Sequence, residues 1–257
     1  MRTVRRWSDR AVTPERPAVL QRSTMSETAV TTSAPRTAQA GVGRRLGQGD
    51  GMGAALVLGA AVMVGVAWGA ATSGLQTVLP WPFAGLANAV GPWVAPAFLV
   101  GAWSRRPWSA VLAGVLVCFG EVAGYYVTSA LRGFGVNPAM VVMWAATGVL
   151  GGPVLGAAGW CWRRARSLRA ATLGAALLGG VFLAEGVVTY GVYLRYTGDA
   201  VVFCVLGAVL VVVLGAAASA TRTTGARAPG IRAAAAWLLL VLPLGAAGEV
   251  LLHGVMT

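Results

Sequence analysis

From residue 54 onward the chain alternates long apolar runs with short polar gaps. The runs fall at about 54–73, 86–103, 108–130, 139–161, 170–192, 200–219 and 233–253. Each holds about 18–23 residues, which at about 1.5 Å per residue is enough to cross an apolar bilayer core of about 30 Å. The pattern predicts an all-α, polytopic membrane protein of about seven transmembrane helices. The run at 86–103 is broken by Pro92 and Pro96, which membrane helices tolerate when neighbours satisfy the freed backbone groups. The preceding stretch LPWPFAGLANAVGPW, residues 79–93, reads as an irregular external loop at the mouth of that span. Ahead of the first run, residues 1–50 show no apolar periodicity and carry nine arginines beside Asp9, Glu15, Glu27 and Asp50. That composition predicts a disordered basic tail. Arg5-Arg6 is not followed by the apolar segment that a twin-arginine signal needs, and Met25 offers a second start of translation.

Composition agrees with a bilayer as the main partner. Hydrophobic residues make up 57% of the chain and charged residues 11%, and the mean hydropathy is +0.71. A soluble core of this size cannot bury so much apolar surface. The net charge of +12 raises the question of nucleic acid, but its distribution excludes that partner. All twenty basic residues are arginine. Eighteen of them lie in the tail or in the loops after the second, fourth and sixth spans; only Arg132 and Arg195 lie on the opposite side. This positive-inside bias predicts a bacterial cytoplasmic-membrane protein with its N-terminus in the cytoplasm and its C-terminus outside. Trp103, Trp108, Trp160, Trp162 and Trp237 gather at the arginine side, and Tyr125, Tyr126, Tyr193 and Tyr196 at the other, as aromatic belts do.

A repeat then stands out. Glu121, Glu185 and Glu249 are spaced 64 residues apart, inside runs otherwise suited to lipid. Each follows a loop arginine (Arg105, Arg169, Arg232) by 16 or 17 residues, and each is followed four residues later by Tyr125, Thr189 or His253. Residues i and i+4 share a helix face, so E-x-x-x-[YTH] presents two polar groups in one direction. With the first span set aside, the remainder divides into three hairpins of identical sense, which is the pattern of a parallel repeat. Such units predict a centre lined by the third, fifth and seventh helices.

An acid in a membrane helix costs about 2.5–3.5 kcal/mol near the helix centre and marks a functional position by default. Glu121, Glu185 and Glu249 are therefore the candidate ligand-binding residues, with Tyr125, Tyr126 and Tyr190 placed to stack on an organic cation. Two readings stand. In one, the acids line a site that binds or translocates a small solute or cation. In the other, the protein is a non-transporting structural or accessory component whose glutamates hydrogen-bond neighbouring helices across small-residue interfaces. Arg132 and Arg195 are further candidates to pair with the acids. His253, the single histidine, lies near the chain end and is expected in solvent or at the interface.

Enzyme chemistry finds no support: HExxH, GxSxG, adjacent intramembrane acids and a phosphate-binding glycine loop are all missing from the sequence. Cys118, Cys161 and Cys204 sit in or beside apolar runs without metal-ligand or disulfide spacing, and read as small apolar residues. No metal or cofactor is expected. The block GPWVAPAFLVGAWSRRPWSAVLAGVLVCFGEVAGYYVTS, residues 91–129, resembles a family of small multi-pass membrane proteins from GC-rich actinobacteria to which no activity is assigned. The resemblance implies class and location over most of residues 55–254, and no chemistry.

Overall fold

The computed structural model describes residues 37–222 and 227–256, with side chains over 52–222 and 227–254. Every regular element there is helical: α1 (Thr37–Leu75), α2 (Val90–Trp103), α3 (Pro107–Leu131), α4 (Pro138–Arg164), α5 (Leu168–Glu185), α6 (Thr197–Ala220) and α7 (Ala228–Met256). A 3₁₀ turn, Ala84–Ala87, precedes α2, and α5 continues as a π-helix over Gly186–Tyr193. Six helices are long and apolar enough to cross a membrane, the part of α1 concerned being Met52–Leu75. The chain is a polytopic helical membrane protein.

The tail predicted over residues 1–50 lies mostly outside the described residues, which open with helix α1. One element differs from the sequence-based expectation. The second predicted span is shorter than its run: α2 has 14 residues, about 21 Å at 1.5 Å per residue. The chain at 79–89 spends itself on turns and the 3₁₀ segment instead. Most of α2 packs into protein, with Val94, Ala97, Phe98, Val100 and Ala102 all buried, while Leu99 and Trp103 stay exposed.

Local chemistry sets the other ends. Pro107 and Pro138 open α3 and α4, where a missing N–H costs nothing. Asn137 caps α4 by accepting from the Ala139 N–H at 3.0 Å. Small residues then let backbones meet. Helices α1 and α3 run side by side in one direction, Gly65 facing Val117 and Gly69 facing Glu121, so that a Cβ on Gly69 would run into the Glu121 carbonyl. Helices α3 and α4 run antiparallel through Gly114, Gly152 and Gly156. Such close approach substitutes van der Waals packing for the hydrophobic drive that lipid does not supply.

The three hairpins α2–α3, α4–α5 and α6–α7 are each packed on themselves. Their returning helices do not enclose one centre, however. Helix α5 packs on α7, whereas α3 packs on α2 and α4 and, on its outer side, on α1. Helices α2 and α4 touch both α3 and α5 and so stand between them. The expected common lining by the third, fifth and seventh helices is replaced by separate environments, because the short α2 fills the middle.

Arginines fasten helix ends. Arg132 donates to the Ser73 carbonyl and, at 2.7 Å, to Thr77 Oγ1. It therefore closes the C-terminal end of α1, where carbonyls lack intrahelical partners. Arg222 donates to the carbonyls of Ala165 and Trp162 at 2.8 Å each, tying the end of α4 to the end of α6. At that same arginine-bearing end, Trp160, Trp162 and Trp237 donate their indole N–H groups to the carbonyls of Arg105, Leu214 and Arg169.

Candidate functional site

Glu185 ends α5 and is buried to 2% exposure. Its two carboxyl oxygens accept from the backbone N–H groups of Val90 and Gly91, both at 2.7 Å. These N–H groups open α2 and have no partner inside that helix. Glu185 thus closes the N-terminus of α2 from a neighbouring helix, at the end where backbone partial charge favours a carboxyl group. Gly91 makes the approach close: a Cβ there would lie 3.1 Å from Glu185 Oε2 and from the Phe182 ring.

Beyond Glu185 the backbone winds more loosely, Leu194 N–H bonding the Thr189 carbonyl five residues back. In this register residues four and five apart share a direction, so Glu185, Thr189 and Tyr190 all turn inward. Tyr190 stacks on Phe203 at 4.7 Å and donates its hydroxyl to the Gly85 carbonyl at 3.2 Å. Asp199, in the first turn of α6, accepts from the Gly85 N–H at 3.3 Å. The 3₁₀ segment ahead of α2 is therefore held at both polar groups of one glycine. Segment 79–93, read from sequence as an irregular external loop, is bonded to α6 and to the π-helix.

Glu249 on α7 accepts from Thr189 Oγ1 at 2.6 Å, and His253 Nε2 lies 3.1 Å from the same oxygen. The threonine proton being committed to Glu249, the imidazole Nε2–H is the donor in the second bond. Tyr193 stacks on His253 at 4.2 Å. His253, expected in solvent or at the interface, is part of a contact between α7 and the π-helix, and it joins two members of the repeat, positions 189 and 253. Glu249 also lines a groove of about 910 Å³ whose other walls, such as Val142, Leu150, Val181 and Leu252, are apolar.

Glu121 differs from both. It sits about 21 Å along α3 from Pro107, 1% exposed, and its Oε1 is buried without a hydrogen-bond partner. It lines a cavity of about 130 Å³ together with Trp93, Cys118, Trp144 and Thr147. A second cavity of about 180 Å³, lined by Asn88, Trp93, Tyr125, Tyr126 and Trp144, shares the two tryptophans with the first. The rings form a chain: Tyr126 to Tyr125 at 5.1 Å, Tyr125 to Trp93 at 5.2 Å and Trp93 to Trp144 at 5.8 Å. Hydrogen bonds fix their orientation, Trp93 Nε1 donating to the Ala87 carbonyl at 3.2 Å and Tyr125 to Gln76 Oε1 at 2.8 Å.

The structure therefore splits the predicted set. Glu121, Tyr125 and Tyr126 belong to one pair of adjoining cavities. Glu185 and Tyr190 hold the entry to α2, and Glu249 pairs with Thr189. Val90 links the groups, since its N–H bonds Glu185 while its side chain lines both the Glu121 cavity and the Glu249 groove. Arg132, a candidate partner for the acids, binds α1 instead. Sequence reasoning missed Asp199, Trp144 and Thr147, and placed Trp93 only within the irregular segment 79–93. Asp199 carries a signal, being the only acid among the apolar residues of its helix. Trp144 carries none, because a single indole in an apolar run does not tell which way it faces.

Residues 48–251 match a family of unknown function, DUF6518, and the chain belongs to it. No curated protein and no solved structure matches the chain.

Proposed function

For a member of this family, we propose that the domain binds or translocates a small solute or cation between its helices at Glu121, as a non-enzymatic protein of the bacterial cytoplasmic membrane with its arginine-rich end in the cytoplasm. The observation that supports this most is the unpaired Glu121 Oε1 beside a half-open cavity. A buried acceptor without a donor costs about 1–3 kcal/mol, and a solute that supplies the donor recovers it. Such a cost persists in a fold when something other than stability retains the residue.

Glu185 favours the second reading, of acids that serve packing, because both of its oxygens are consumed by the α2 backbone. One protein accommodates both roles: Glu185 builds the scaffold on which the Glu121 cavity depends. The two are separated by thiol labelling in a cysteine-free background. Glu121→Cys reacts with a membrane-impermeant reagent applied outside intact cells, whereas Glu185→Cys does not. A folded Glu121→Cys protein that stays unlabelled is the outcome against an outward-accessible site.

A further inference from the structure

We infer that the ligand of the Glu121 cavity is a small primary or secondary organic ammonium ion, admitted past the rings of Tyr125, Tyr126, Trp93 and Trp144; the inference rests on the proposed binding reading. The lining supports a cation with N–H donors on four grounds. The first is the acceptor: Glu121 Oε1 lacks a donor, and no lysine exists in the sequence to provide one. The second is the approach: four aromatic rings in van der Waals succession line the outer cavity, and their faces attract a cation by about 0.5–2 kcal/mol each when water is excluded.

The third ground is size. The inner cavity of about 130 Å³ equals roughly four water volumes of about 30 Å³, room for an ammonium group on a short alkyl chain. The fourth is what the lining refuses. A hard metal ion takes six or more oxygen ligands, or keeps its waters, and among the described residues no group of three or more His, Cys, Asp or Glu side chains exists. The other lining groups beside Glu121 are Val90, Trp93, Val94, Cys118 and their apolar neighbours, with Thr147 as one further hydroxyl. Thr147 donates its proton to the Met143 carbonyl at 2.8 Å, which leaves its oxygen able only to accept from a ligand. The unpaired Glu121 oxygen, with Thr147 as a second acceptor, selects a donor-bearing ligand. A quaternary ammonium, though attracted by the rings, leaves Oε1 unpaired, so it ranks below primary and secondary amines.

The test is calorimetric titration of the purified protein in detergent with propylammonium, tetramethylammonium and 1-propanol. The expected result is saturable propylammonium binding at least tenfold tighter than either of the others. It weakens at least tenfold in Glu121→Gln and is retained in Glu249→Gln. Should Glu121→Gln fail to fold, Trp144→Leu serves in its place and weakens binding through the lost ring. Equal binding of 1-propanol and propylammonium, with loss in Glu121→Gln, overturns the ammonium assignment and leaves a solute site at Glu121 standing. Tetramethylammonium binding as tightly as propylammonium overturns the hydrogen-bond selection. No saturable binding by any of the three, with Glu121→Gln indistinguishable from the parent, means that the cavity holds water only, and both proposals fall.

Discussion

Glu185→Leu destabilises the folded domain by about 2–4 kcal/mol, two buried hydrogen bonds at about 1–2 kcal/mol apiece in a membrane interior. The variant deletes the acceptors of the Val90 and Gly91 N–H groups, both bonded at 2.7 Å, and offers the orphaned donors only apolar neighbours. Such orphans cost more than an average bond is worth. The loss spreads further, because α2 packs on α3, α4 and α5 and Glu185 sets where α2 begins. Glu185→Gln keeps one oxygen acceptor and sheds about half of the effect. Reversible denaturation in mixed detergent micelles measures the difference. A Glu185→Leu protein as stable as the parent shows that α2 holds its place without this closure.

Glu121→Leu is expected to act with the opposite sign, raising stability by about 1–3 kcal/mol while abolishing ligand binding. The reason is the same rule applied to a group in the other situation. Glu121 Oε1 has no donor, so replacing the carboxyl group with methyls removes a desolvation cost and loses no bond to that oxygen. The lining around it is already mostly apolar and receives leucine without new polar orphans. Denaturation and titration on the same preparation give both halves of the prediction. A Glu121→Leu domain that unfolds more easily shows that the acid serves packing, as Glu185 does. Two residues in register in the repeat thus carry contrary expectations, and the contrast derives from partners alone.

The membrane class was legible because apolar runs of 18 or more residues admit few other solutions, and hairpin order followed from the run boundaries. The matched glutamates were legible as a repeat. Their separate fates were not, since a repeat in sequence says nothing of which helix wedges between the copies. The short α2 decided that. Its prolines, Pro92 and Pro96, signalled an interrupted span, but an interruption does not show where the helix restarts. The start at Val90 depends on Glu185, some 95 residues later. Tyr125 and Tyr126 are placed near the candidate acid because a spacing of four or five residues on one helix is local information. Trp93 and Trp144 come from two other helices, and Asp199 meets Gly85 across 114 residues; no local pattern reports such contacts. The π-helix after Glu185 carries Tyr190, whose hydroxyl bonds Gly85, and helical periodicity of 3.6 residues does not anticipate that winding.

The central claim, that the Glu121 cavity admits an ammonium ion, is tested most directly at Cys118. This thiol lines the same cavity, one turn before Glu121. With Cys161 and Cys204 replaced by alanine, Cys118 is treated with aminoethyl methanethiosulfonate and with its neutral counterpart, propyl methanethiosulfonate. Each reagent forms a disulfide with the thiol and releases methanesulfinate, so the two differ only in the tail that enters with the sulfur. A buried thiol ringed by apolar groups ordinarily reacts faster with the neutral reagent. The predicted result is the reverse, faster modification by the ammonium reagent, with the preference abolished by Glu121→Gln. Faster modification by the neutral reagent, or a preference that survives Glu121→Gln, contradicts the claim.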